Sequence, residues 1–257
     1  MPAAPIPPTP PFAALAATLS AGSLTWSSPE GRANRIRATS HLQTWLRSAP
    51  AAVVEENLKE LAQVLFAPLL DVGQLHIFAL STQAVAAAAI RLGDRALTLV
   101  EAVLPLLIDL SSSSGAASAV GAHAHCAVCA VLPRVPSYDA VPSLLGALSR
   151  ATAVQTVAGR ARTAEQLLLA LLAASNSGGG GGGGGGGSSS AFRSKRAAAI
   201  AAALCGLLRD PRAATRRLSR HALLVLMERA PRIASEPFAT LPLHTQRQLT
   251  AVAKRRA

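Results

Sequence analysis

No stretch of this chain alternates apolar and polar residues with period two for long enough to build a strand. Apolar residues instead recur at helical spacing almost throughout. Arg32–Arg47 places Ile36, Leu42, Trp45 and Leu46 on one stripe, and Val53–Phe66 does the same with Val54, Leu58, Leu61, Val64 and Leu65. The same reading gives helices over Phe12–Ser20, Gln74–Leu92, Arg95–Leu110, Ala116–Leu132, Ser137–Ser149 and Ala153–Ala174. Phe192–Leu208, Pro211–Glu228, Pro231–Thr240 and His244–Lys254 complete twelve segments, mostly joined by short connections. Composition agrees: half the residues are apolar, mainly Ala and Leu, and aromatics make up 3%. Such a mixture favours helices over sheets.

Punctuation follows the segments. Pro50, Pro133, Pro136 and Pro231 fall at breaks, and Gly93 is placed to end the helix closing at Leu92. Asp210 followed by Pro211 reads as an N-cap with proline in the first helical position. Residues 1–11 hold six prolines and read as a disordered tail. The long break is 175–190, with ten consecutive glycines, Gly178–Gly187. A tract of this kind cannot bury a core and loses too much entropy to order. Few residues follow it for an independent domain, so it reads as a flexible insertion within one domain spanning 12–257. Closing a longer loop costs little, because the penalty grows with the logarithm of length. Helix pairs of this size cannot bury their apolar faces alone, but stacked neighbours can. The expected fold is therefore all-α, a solenoid of about six antiparallel helix pairs in an armadillo-type superhelix.

Charge is unevenly distributed. Of the formal net +12, residues from Phe192 onward carry +11, with 14 Lys+Arg against Asp210, Glu228 and Glu236. Such asymmetry suits an anionic partner. Beyond Phe192 the region holds a single aromatic, Phe238, which argues against a stacking platform for single-stranded nucleic acid. The first 29 residues lack any charged side chain, so the basic start of a secretory signal is missing. An alanine-rich transit peptide is the alternative reading of that end. The apolar runs are interrupted by Ser, His, Gly or Gln, and none reads as a spanning helix. Three cysteines, Cys126, Cys129 and Cys205, are too few for a disulfide framework and fit a reducing compartment. A cytoplasmic protein is expected.

Candidate chemistry is sparse. His123, His125, Cys126 and Cys129 lie within seven residues, but four ligands on one short helix cannot converge on one ion. The segment reads as a helix with two small buried cysteines and two surface histidines, so no metal site is expected. The glycine tract lacks the Gly-Lys-Ser/Thr of a phosphate loop, and no nucleophile elbow or paired-carboxylate arrangement is present. Asp71, Asp94, Asp109 and Asp139 fall mostly at helix ends, where capping accounts for them. No catalytic residue or cofactor is expected. Trp45 reads as core. Trp26 sits in the polar stretch Thr25-Trp26-Ser27-Ser28-Pro29, where an exposed tryptophan can serve as a binding hot spot.

The stretch from Asp210-Pro-Arg-Ala-Ala-Thr-Arg-Arg-Leu-Ser-Arg-His-Ala to Leu241-Pro-Leu-His-Thr-Gln-Arg-Gln-Leu has the Asp/Pro/Arg character of HEAT repeats. With Gln83-Ala-Val through Leu92-Gly93-Asp94 and Glu101-Ala-Val-Leu-Pro-Leu-Leu-Ile-Asp-Leu, it resembles the TOG domain, a tubulin-binding HEAT array, of the CLASP (CLIP-associating protein) type. The likeness runs in order over residues 12–254. It implies a partner, tubulin or microtubules, held along the turns within each helix pair. Those turns would lie near Gly22–Gly31, Ala67–Gly73, Ser111–Gly115, Arg150–Thr152 and Arg209–Arg212. The resemblance assigns tubulin contacts to Trp26, Arg150, Arg209, Arg212 and Arg216, and a location in the cytoplasm, on the cytoskeleton or in a cilium. The second and third turns lack the basic residues that the resemblance leads one to expect. The competing readings are a generic HEAT scaffold for another protein and a nucleic-acid binder using the basic C-terminal quarter.

Overall fold

A computed structural model of the chain describes residues 11–20, 28–113, 118–154, 157–176, 194–229 and 237–254. The protein is all-α: among the described residues every regular element is a helix. In order these are α1 (Phe12–Ser20), α2 (Pro29–Ser48), α3 (Ala51–Glu56), α4 (Leu58–Leu70), α5 (Leu75–Leu92) and α6 (Leu97–Ser113). They continue with α7 (Ala119–Val131), α8 (Val141–Val154), α9 (Val157–Asn176), α10 (Ser194–Leu207), α11 (Ala213–Arg229) and α12 (Leu243–Lys254). The chain packs as two compact units, Met1–Val103 and Leu104–Ala257, with the boundary inside α6.

Local chemistry moves several boundaries from their expected places. α2 begins at Pro29 rather than Arg32. Ser28 is extended (φ −80°, ψ 147°) and its hydroxyl accepts from the Gly31 amide at 3.0 Å. Pro29 has no amide to leave unpaired, and Glu30 faces the positive end of the helix dipole. The expected helix over Val53–Phe66 is two helices broken at Asn57 (φ −98°, ψ 7°). The Asn57 side-chain Nδ2 donates to the Val53 carbonyl at 2.7 Å, a local bond that competes with helix continuation. Helix α4 runs on through Pro68, and α9 extends to Asn176, into the segment read as an insertion. The glycine tract itself lies outside the described residues. Of the expected Pro231–Thr240 helix, only a turn at 237–239 falls within them.

In the first unit, α2 packs on α1 and α5, and α4 on α1 and α5. Trp45 is core, as expected, and stacks on Phe12 with ring centroids 4.7 Å apart. Helix α5 buries Ile77, Phe78, Ala84, Val85, Ala88, Ala89 and Leu92, a stripe at i, i+3, i+4 spacing. Its Arg91 donates to the carbonyls of Leu46 and Ala49, satisfying acceptors that the end of α2 leaves open. Arg35 is buried in α2 and lies 3.9 Å from Asp71 at the end of α4. Desolvation pulls the Arg35 pKa down, and Asp71 partly restores it. Gly93 ends α5 with φ 57°, a backbone angle that glycine reaches without the Cβ penalty. The run Leu75–Ser113 is apolar and long enough to cross a membrane by length and composition, which the sequence reading did not anticipate. Half of its most apolar window is buried inside the protein.

In the second unit, α9 is the central helix and packs against α7, α8, α10 and α11. From Ala158 to Ala174 none of its residues is fully exposed. Gly159 lets α9 approach the end of α6 closely: a Cβ built there would lie 1.9 Å from the Ser112 carbonyl oxygen. Arg162 donates to the Ser111 carbonyl at 3.2 Å, and Gln166 to the Ser111 hydroxyl at 2.9 Å. Asp139 accepts from the Val141 amide at 3.3 Å, where α8 begins, and pairs with Arg196 of α10.

Candidate functional site

Two constellations in the second unit gather charged or ligating side chains. The first is the turn between α10 and α11. Its centre is Asp210, whose side chain is 2% exposed. One carboxylate oxygen accepts from Arg160 Nε of α9 at 2.6 Å, and the other accepts from the Arg212 amide at 2.9 Å. Desolvation pushes the Asp210 carboxyl up, but the Arg212 amide and the Arg160 guanidinium outweigh it and hold the pKa below the usual carboxylate value. The side chain is thus an ionised peg that fixes the backbone of the turn. The expected helix start at Pro211 is corrected by this geometry. Asp210 uses its carboxylate to close a two-residue turn onto Arg212, and α11 begins at Ala213.

The five residues assigned to a binding edge fare differently. Arg209 and Arg212 are exposed on the pegged turn. Arg216 is half-buried, and its Nη1 donates to the carbonyls of Asp210 at 2.7 Å and Pro211 at 2.6 Å. It braces the turn, a role that leaves this nitrogen occupied. Arg150 lies within α8, not in a turn, because α8 runs on to Val154. Trp26 lies outside the described residues. Further arginines, Arg217 and Arg220, are exposed along α11. The structure therefore brings Arg209, Arg212 and Arg216 together around Asp210.

The second constellation joins α7 and α9. His125 Nε2 is 3.2 Å from Glu165 Oε2, and Cys129 Sγ is 3.6 Å from both ring nitrogens of His125. The three donor atoms all lie within 4.8 Å of one another. Gln166 Nε2 is 3.2 Å from His125 Nδ1. His125, Cys129 and Glu165 are all half-buried, whereas Cys126 is exposed. This corrects the expectation of two buried cysteines beside two surface histidines. α7 turns Cys126 outward and carries His125 and Cys129, four residues apart, on the face that meets α9. Burial, Glu165 and Cys126 together push the Cys129 thiol up to about 12. Burial likewise lowers the His125 pKa, a shift opposed by Glu165. Glu165 lies 40 residues from His125, so spacing along the chain carries no sign of it. No protein-family model matches this chain, and no curated protein matches its sequence.

Proposed function

We propose that the chain is a non-enzymatic tubulin- or microtubule-binding protein, a TOG-like HEAT array of about six antiparallel helix pairs that regulates microtubule dynamics. The observation that carries this reading is the pegged turn. Two exposed arginines, Arg209 and Arg212, project from a backbone fixed by the buried Asp210 and its partner Arg160. Arginines held on a rigid turn lose little freedom on binding and make charge-assisted, bidentate bonds to carboxylates. Tubulin presents an acidic surface, and the strongly positive C-terminal quarter would steer encounter with it. The all-helical fold and the central α9 flanked by further helices are consistent with stacked pairs.

The test is Arg212→Glu, alone and with Arg209→Glu, measured for binding to free tubulin. The Arg212 contact that closes the turn uses the backbone amide, which the substitution keeps. The variants should keep wild-type helicity and lose the complex. Unchanged binding by a folded double variant would reject this edge. Binding to an oligonucleotide in place of tubulin would favour the nucleic-acid reading, with its steep salt dependence.

A further inference from the structure

We propose that His125, Cys129 and Glu165 form a zinc-binding site that ties α7 to α9, with water completing the coordination shell. Two of the three ligand separations match the edges of a tetrahedron around one ion. Zinc holds imidazole nitrogen and carboxylate oxygen at about 2.0–2.1 Å and thiolate sulfur at about 2.3 Å, so tetrahedral angles set ligand separations of roughly 3.3 Å for N···O and 3.5 Å for S···N. The separations here are 3.2 Å for His125 Nε2 to Glu165 Oε2 and 3.6 Å for Cys129 Sγ to His125 Nε2. Cys129 Sγ lies equally far from Nδ1, so it stands over the imidazole face, and a turn of the ring and of the thiol brings the three donor atoms, already within 4.8 Å of one another, onto one ion. A mixed nitrogen, sulfur and oxygen set on a half-buried face suits a borderline-soft divalent ion better than calcium or magnesium, which take oxygen ligands.

A second, independent observation lies behind the ring. Gln166 is fully buried, and its Oε1 has no hydrogen-bond partner. Its Nε2 faces His125 Nδ1 at 3.2 Å. Half a turn of the amide places Oε1 against Nδ1, where it accepts the ring proton; the bond from Nε2 to Ser111 is given up, and the Ser111 hydroxyl turns from the Ile108 carbonyl to Oε1. That tautomer leaves the Nε2 lone pair for the metal, the arrangement that second-shell acceptors enforce on metal-bound histidines. Without metal, Gln166 donates to Nδ1 and the Nε2 proton goes to Glu165. Zinc takes the place of that Nε2 proton and of the Cys129 thiol proton, and both leave to solvent. Arg162, whose guanidinium donates to the Ser111 carbonyl nearby, opposes a further positive charge at His125 and tempers the affinity. Glu165 is nearly half exposed, so the ion has an open route from water.

The experiment is a cobalt(II) titration of the reduced, metal-free full chain, followed by competition with zinc. Four-coordinate cobalt bound by a thiolate gives a near-ultraviolet charge-transfer band and strong visible bands. The site predicts both, saturating at one cobalt per chain and displaced by zinc. Cys129→Ser should remove the charge-transfer band, while Cys126→Ser and Cys205→Ser should keep it. Glu165→Gln, nearly isosteric, should weaken binding at least about tenfold, and His125→Ala likewise. Circular dichroism on each variant separates loss of a ligand from loss of fold. Absence of the band in the wild-type chain would overturn the assignment. So would a band that survives Cys129→Ser, or affinity unmoved by both Glu165→Gln and His125→Ala.

Discussion

Gly159→Ala and Gly206→Ala are the same substitution in two helices of the second unit, and they should change stability in opposite directions. Within a helix, alanine gains about 0.8–1.0 kcal/mol over glycine. At Gly206, the penultimate residue of α10, a Cβ would meet nothing within 4 Å, so the substitution is favourable by at most this interior value. At Gly159 the new Cβ would stand 1.9 Å from the Ser112 carbonyl oxygen and 2.9 Å from its carbon. Ordinary contact begins near 3.4 Å, so backbone must yield by roughly 1.5 Å, and overpacking of this kind costs about 1–3 kcal/mol or more. Set against the propensity gain, a net loss of up to about 2 kcal/mol remains. For a chain of this size that lowers Tm by up to roughly 4–8 °C, while Gly206→Ala raises it by up to about 2–4 °C. Separating α9 from α6 would also strain the Arg162 and Gln166 bonds to Ser111. Paired thermal melts followed by circular dichroism decide the matter. A Gly159→Ala chain as stable as wild type would refute the close approach of α9 to α6.

Other outcomes follow from single contacts. Asp210→Asn removes the charge that Arg160 faces at 2.6 Å and should cost about 2–3 kcal/mol, less than for a fully buried pair because Arg160 is partly exposed. The Asp210 pKa is depressed in the folded chain, so its contribution is complete above pH about 4 and is lost as pH falls through the folded value. Urea melts at pH 7 and in acid should show the wild-type and Asp210→Asn stabilities converging as pH drops. Ser28→Ala should destabilise by about 1 kcal/mol, because the Gly31 amide at the start of α2 loses its acceptor, and a shift in the urea midpoint at unchanged slope would show it. Trp45→Ala leaves a cavity beside Phe12 and should cost about 3–5 kcal/mol by the same measurement.

Helices were legible wherever apolar residues recurred at i, i+3 and i+4, because burial of that stripe decides the local conformation. Phe12–Ser20 is read to the residue, and α5 within one. The missed boundaries depended on side chains bonding their own backbone. Ser28-Pro29-Glu30 is a cap signal present in the sequence, and it places the start of α2 three residues before the apolar period begins. Asn57 breaks the helix through a bond to Val53 that periodicity does not register. The arginine turn was legible because Asp210, Arg212 and Arg216 lie within one short segment. Its brace, Arg160, comes from a helix 50 residues away. The ligating trio was half legible: His125 and Cys129 share a helical face, but Glu165 and Gln166 enter from α9. Gly159, in the first turn of α9, did carry a usable signal, since a helical glycine costs stability unless packing requires it.

The proposed function rests on the basic turn binding tubulin. Size-exclusion chromatography of the purified full chain with free tubulin, at low and moderate salt and with an anionic oligonucleotide as control, tests it most directly. The chain should co-elute with tubulin in a complex that weakens as salt screens the arginines, and should form none with the oligonucleotide. Separate elution of chain and tubulin even at low salt would contradict it.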